Sequence, residues 1–145
     1  MSANTTPIFP VTPNIKWVSG VAANSNTPGV TANTTKDLTS GAICNLYLAG
    51  ANGSRVDFIR IRALGTNVAT VVRIWVNNGG STNTAANNAL FTDLTIPATT
   101  NSEAAQLAET TINLNMSLPT NYALYATFGT AVAAGFHLTT VGGDY

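Results

Sequence analysis

The residues able to carry out acid–base, nucleophilic or metal chemistry are few in this sequence, and they are not grouped. The 145 residues include one histidine, His137, one cysteine, Cys44, and six aspartates and glutamates. No Ser-His-Asp or Cys-His spacing surrounds His137, and one histidine with one cysteine is too few for a transition-metal site. The carboxylates have neither the spacing of a calcium-binding loop nor a spacing that selects a pair for glycoside hydrolysis. The sequence therefore predicts no catalytic residue, no metal site and no cofactor, and a protein that is not an enzyme.

His137 and Cys44 each have an ordinary structural interpretation. Cys44 alternates with Leu46 and Leu48, which predicts a buried thiol in a strand rather than a reactive one. His137 lies between two apolar residues of another predicted strand, so it is expected to face solvent or an interface. Threonine and asparagine together occupy 40 positions, and these short uncharged side chains suit strands and turns. The composition favours a protein that acts by surface contact.

Charge is scarce and balanced along the chain. Only 8% of the residues are charged, and six Lys and Arg against six Asp and Glu give a formal net charge of zero. A neutral chain lacks the electrostatic footprint that phosphate backbones and anionic lipids require, so neither nucleic acid nor membrane is an expected partner. We expect no secretory signal, because the first residues have neither a basic start nor an apolar run of about 7 to 15 residues. We expect no membrane span, because no apolar run approaches about 20 residues. Near-zero charge also weakens the repulsion between copies, which favours assembly.

From Leu38 onward, apolar residues recur with the period of two that is typical of β-strands. Ile59, Ile61 and Ala63 form one series, and residues 68–76 form the next. Further strands are predicted at residues 90–96, 112–118, 122–128 and 132–141. Short strands separated by polar loops predict an all-β fold, namely an antiparallel β-sandwich that is jelly-roll-like.

Two hairpins are predicted from the register of the inward-facing residues. The first turns at Thr66-Asn67 and sets opposite one another Ile59 and Ile74, Ile61 and Val72, and Ala63 and Thr70. On its outer side, Arg60 faces Arg73 and Phe58 stacks on Trp75. The second hairpin pairs Phe128 with Val132, Leu124 with Phe136, and Tyr122 with Leu138. A strict jelly roll instead places many consecutive strands in opposite sheets, so the two topologies are alternatives at the first hairpin.

Four prolines among Asn, Thr and Ser set residues 1–40 apart from the rest of the chain. Proline lacks the donor that a central strand needs, which predicts an extended arm. Ile8, Phe9 and Trp17 are its apolar anchors, which would contact either a neighbouring molecule or the arm's own domain. The expected organisation is an extended N-terminal arm over residues 1–40 and a β-sandwich domain over residues 41–145.

Arg60, Arg62 and Arg73 form the one charged group of note. Facing like charges are unfavourable unless carboxylates lie between them, and Asp57, Asp93 or an acidic group of a partner would supply these. An intramolecular or solvated role and an interface role are both open. The candidate interface residues are Ile8, Phe9, Trp17, Phe58, Arg60, Arg62, Arg73 and Trp75.

Several short motifs between Gly53 and Tyr145 together form a resemblance to a known family. They are RVDFIRIRALGTN at residues 55–67, VVRI at 71–74 followed by NNG at 77–79, LP at 118–119 with Tyr122, and GTAVAAG at 129–135 with VGGDY at 141–145. On these motifs the chain resembles the capsid decoration, or cement, proteins of tailed bacteriophages. The resemblance covers about two thirds of the chain and does not include the arm.

The resemblance implies both a fold and a function. Proteins of this family are β-sandwiches, often jelly-roll-like, that form trimers on the outside of an icosahedral head and bridge neighbouring capsomers. The expected function is therefore that of a structural virion protein made in the bacterial cytoplasm, with the major capsid protein and further copies of itself as partners. A phage tail or fibre module is one alternative. A carbohydrate-binding sandwich, with Trp75, Tyr125 or Tyr47 as stacking platforms, is another.

Overall fold

The computed structural model describes residues 9–19 and 28–145 of the chain. Within these residues the chain forms eight β-strands and one short 3₁₀ turn, Ala85–Asn87. The strands are β1 (Thr12–Ser19), β2 (Cys44–Leu48), β3 (Ser54–Ala63), β4 (Thr70–Asn77), β5 (Asn88–Ile96), β6 (Glu109–Leu118), β7 (Ala123–Phe128) and β8 (Phe136–Asp144). The prediction of an all-β fold is confirmed.

The strands form two four-stranded antiparallel sheets that pack face to face. The first sheet has the order β1-β8-β3-β6 and the second has the order β2-β7-β4-β5. Consecutive strands alternate between the sheets except at β4 and β5, which pair with each other. This strand order is that of an eight-stranded jelly roll, so the predicted antiparallel sandwich is confirmed.

Both predicted hairpins are wrong. β3 pairs with β6 and β8, whereas β4 pairs with β5 and β7 in the other sheet. β7 and β8 likewise lie in different sheets. The connections 64–69 and 129–135 are long enough to cross the roughly 10 Å between packed sheets, so each returning strand joins the opposite sheet.

The core lies between the sheets and is built from the inward-facing alternate residues of their strands. The predicted core residues are all buried there: Ile59, Ile61, Val72, Ile74, Leu124 and Phe136. The rings of Phe128 from the second sheet and Phe136 from the first stack with centroids 5.1 Å apart. Alternation thus placed these side chains on the correct face, since a residue points into the core whichever sheet its strand joins.

Residues 28–41 form a strap over the outer face of the second sheet. The strap accepts and donates hydrogen bonds across three strands, through Phe128 of β7, Arg73 of β4 and Asn88 of β5. Asn33 closes the strap on itself, because its side-chain amide donates to the carbonyls of residues 40 and 42. Leu38 within the strap is fully buried. The strap therefore covers the part of the outer face around Trp75 and leaves Leu90 of β5 about half exposed.

The described parts of the predicted arm lie against the sandwich of the same chain. Strand β1 is the edge strand of the first sheet and pairs along its length with β8. The strap, the other described part of the predicted arm, is hydrogen-bonded to the second sheet. The arm and the sandwich domain are thus joined through a shared sheet in the described residues, and the boundary expected at residue 40 falls within the strap.

Candidate interaction surface

The outer face of the first sheet brings together four of the eight predicted interface residues, namely Trp17, Phe58, Arg60 and Arg62. The pairings of β1, β8, β3 and β6 place outward-facing side chains in rows across the sheet. We call this surface the open face. Its first row consists of Ile15, Val141, Phe58 and Asn113, and its second row of Trp17, Thr139, Arg60 and Thr111. Its third row consists of His137, Arg62 and Glu109. No strap crosses it in the described residues.

One side of the open face is apolar and strongly exposed. Trp17 is 64% exposed and Ile15 is 58% exposed, both on the edge strand β1. Phe58 and Val141 continue the apolar surface inward and are partly buried. Phe9, which precedes β1, is 72% exposed. Large apolar side chains grouped in this way mark surfaces that another molecule covers.

The edge of the open face borders a depression between β1 and β2. Its volume is about 360 Å³, and it is lined by Ile15, Lys16, Trp17, Val18, Asn45 and Leu46. The Lys16 ammonium bridges the two strands there, because its Nζ donates to the carbonyl oxygen of Leu48 at 3.3 Å and lies 4.8 Å from the centre of the Tyr47 ring. Both strands are sheet edges, so their outer backbone groups are unpaired by neighbouring strands in the described residues.

The other side of the open face is basic. Nη2 of Arg60 lies 2.7 and 2.9 Å from the two carboxylate oxygens of Glu109. Arg62 is exposed, and no carboxylate of the described chain forms an ion pair with it. Asp57 forms an ion pair with Arg55, and the Nε of Arg55 lies 2.8 Å from the Oδ1 of Asp57. Glu109 therefore neutralises Arg60, whereas neither Asp57 nor Asp93 does.

Two predicted interface residues lie elsewhere, and the contacts expected for them are wrong. Arg73 and Trp75 belong to β4 in the second sheet, so Arg60 does not face Arg73 and Phe58 does not stack on Trp75. Trp75 is 1% exposed beneath the strap, and its indole nitrogen donates to the Thr127 hydroxyl at 3.0 Å. Arg73 donates to the carbonyl of the strap residue Asn33. Ile8 lies outside the described residues.

The aromatic platforms expected for a carbohydrate-binding sandwich are mostly closed. Trp75 and Tyr47 are both buried, and only Tyr125 is partly exposed. A sugar ring stacks on an aromatic face that solvent reaches, so Trp75 and Tyr47 have no free face for it. The structure therefore removes two of the three residues on which that alternative rests.

Sequence reasoning missed a polar cluster around Asp144, at the end of β8. Its carboxylate accepts hydrogen bonds from Asn14 at 2.8 Å, from Tyr47 at 3.0 Å and from Ser54, and so joins strands of both sheets. Partial burial works to raise the pKa of Asp144, but these hydrogen bonds and the charge of Lys16 outweigh it, and the pKa is lowered. No sequence spacing connects residues so far apart, so only the fold reveals the cluster.

Cys44 and His137 lie in different parts of the described structure, Cys44 in the core and His137 on the open face. Burial raises the pKa of Cys44 to about 12, which favours the protonated thiol. Among residues 9–19 and 28–145, no group of three or more His, Cys, Asp or Glu is placed to hold a metal ion. His137 instead lies on the open face opposite Arg62.

No protein-family model, no curated protein and no solved structure matches this chain. In the described part of the chain, no helix is long and apolar enough to cross a membrane. The features that bear on function are therefore the chain's own: an exposed apolar and basic face on one sheet and a strap over the other.

Proposed function

We propose that this protein is a capsid cement, or decoration, protein of a tailed bacteriophage. It binds the outer surface of the head through the open face, contacts the major capsid protein there, and bridges neighbouring capsomers as a homotrimer. The resemblance of residues 53–145 to such proteins suggests the class. The jelly-roll sandwich is compatible with it, because this architecture occurs among viral capsid domains.

The observation that carries the proposal is the difference between the two outer faces. The strap lies over the middle of the second sheet, where Trp75 and Leu38 are buried, and it leaves Leu90 and Phe91 on the edge strand β5 about half exposed, whereas the first sheet leaves Trp17 and Ile15 more than half exposed. Aromatic residues and arginine are enriched in protein interfaces. The open face combines both types over one continuous surface, which suits a protein partner.

Such a protein acts by additive contact and requires no chemical step. Each copy buries part of the open face across a seam, and the many copies on a head turn modest contacts into resistance to internal pressure. A formal net charge of zero leaves little repulsion between copies at high local density. The protein would be made in the bacterial cytoplasm and located on the exterior of the phage head.

The proposal is tested by co-sedimentation with heads from a phage that lacks the gene for this chain. The protein should bind saturably to expanded heads, and Trp17→Ser should weaken binding. Burying the exposed part of a tryptophan, roughly 100–150 Å² at about 25 cal/mol per Å², contributes about 3 kcal/mol, or on the order of 100-fold in affinity.

The matched control is Phe91→Ser, which removes a 48% exposed aromatic from β5, an edge of the second sheet. It should bind heads like the unchanged protein. Equal affinities for Trp17→Ser and the unchanged protein would contradict docking through the open face. Binding to purified tails but not to heads would favour the tail or fibre alternative instead.

A further inference from the structure

A small basic depression lies within the open face and has a defined geometry. Its volume is about 180 Å³, and it is lined by Arg60, Arg62, His137 and Thr139. Arg60 is paired directly with Thr139, and Arg62 with His137, on the adjacent strands β3 and β8. The four side chains therefore stand as a two-by-two block of outward-facing neighbours, about 5 Å apart across the strands and about 7 Å apart along them.

The charge around this depression is unevenly neutralised. Glu109 is the register partner of Arg62 on β6, yet both of its oxygens bond to Arg60. The guanidinium of Arg62 is left without a carboxylate in the described chain. The depression has room for a few water molecules. The unneutralised guanidinium of Arg62, the imidazole of His137 and the hydroxyl of Thr139 border it.

We propose that this depression binds one carboxylate, from an aspartate or glutamate side chain of the protein on which the open face docks. Arg62 is the main ligand, and His137 and Thr139 add hydrogen bonds. The proposal rests on the proposed function, since it specifies the chemistry of the same docking surface. A guanidinium fork matches a carboxylate with two parallel hydrogen bonds.

The surroundings favour a single carboxylate on a protein over a polyanion. Arg55 and Arg60 are already paired with Asp57 and Glu109, so Arg62 is the one arginine of this strand that is left for an anion, whereas successive phosphates of a nucleic acid need several unpaired cations. Trp17 lies in the same row as Thr139 and Arg60. A protein that covers Trp17 would therefore also exclude water from the ion pair between Arg62 and the partner's carboxylate. An ion pair shielded in this way is stronger than one in open solvent.

The subsite is tested on the isolated protein by NMR, with sodium acetate as the probe at constant ionic strength. Acetate should shift the Arg62 side-chain N–H and the His137 ring signals saturably. Arg62→Gln should abolish the shift at His137, and Lys36→Gln, which removes an exposed charge on the strap, should preserve it. Shifts that do not saturate, or that persist in Arg62→Gln, would overturn the subsite. Tighter binding of a thymidine oligonucleotide than of acetate would indicate a phosphate site and would also overturn it.

Co-sedimentation with heads separates this inference from the proposed function. Arg62→Gln should bind heads at least tenfold more weakly, and Arg62→Lys, which keeps the charge but loses the fork, should recover only part of the loss. If Arg62→Gln binds normally while Trp17→Ser does not, the carboxylate proposal fails and docking through the open face stands. If neither substitution weakens binding, the proposed docking itself fails.

Discussion

Replacing Asp144 by alanine should destabilise the sandwich although the residue lies outside the apolar core. The Asp144 carboxylate accepts hydrogen bonds from Tyr47 and Ser54, both fully buried, and from Asn14 of the edge strand β1. Its removal leaves two buried hydroxyl groups without this acceptor. Each such loss costs about 1–3 kcal/mol, and since water reaches the partly exposed site we expect a total of about 2–4 kcal/mol.

The assay is urea unfolding followed by far-ultraviolet circular dichroism at about pH 7, with Asp93→Ala as the control. The Asp93 side chain is exposed on β5 opposite Arg73 and forms no hydrogen bond or ion pair in the described chain, so its loss should cost less than about 0.5 kcal/mol. Equal free energies of unfolding for the two variants would refute the role assigned to the Asp144 cluster.

The same cluster predicts how stability depends on pH. The pKa of Asp144 lies below its ordinary value of 3.8 in the folded protein, so the charged form is favoured by folding. The stability that it contributes is complete above the ordinary pKa and is lost as the pH falls through the folded-state pKa. The difference between the unchanged protein and Asp144→Ala should therefore be constant near neutral pH and shrink below about pH 4. A difference that grows on acidification would contradict the lowered pKa.

Two further predictions concern the core. Ile74→Ala should lower the free energy of unfolding by about 2–5 kcal/mol in a denaturant titration, because it leaves a cavity between the sheets. Tyr125→Ala, on the partly exposed outer side, should lower it markedly less. Equal losses would mean that the assignment of inward and outward residues is wrong. Cys44 is buried and its pKa is raised to about 12, so it should not react with a thiol reagent at about pH 8 until the protein is unfolded in urea. Rapid labelling of the folded protein would contradict the burial of Cys44.

For the strands that carry Ile59, Ile74, Leu124 and Phe136, the inward face could be predicted from the sequence, but the strand partners could not. Ile59 and Ile61 recur with a period of two, as do Val72 and Ile74, and this period places each pair on one side of its strand whichever strand lies beside it. A hairpin and a crossing between sheets bury the same face, so both arrangements satisfy the pattern. The jelly roll follows from long-range pairing, in which β3 lies between β6 and β8.

The sequence predicted some residues of the open face but not their arrangement, because that arrangement also depends on long-range strand pairing. Phe58, Arg60 and Arg62 could be identified as outward-facing residues, and Trp17 as an apolar anchor of the arm. Their placement on one surface depends on β1 and β3 both pairing with β8. Trp75 was expected to be exposed because it alternates with buried residues. It is on the outer side of its strand, but the strap covers it, and nothing in local alternation reveals such a cover.

The central claim, docking of the open face on the phage head, is tested most directly by an electron cryomicroscopy reconstruction of the intact virion. We predict jelly-roll sandwiches in groups of three on the outer surface of the head, at seams between capsomers, with Trp17 and Arg62 turned toward the shell and the strap turned toward solvent. Density for this chain only on the tail, or sandwiches on the head with the strap against the shell and Trp17 in solvent, would contradict the account.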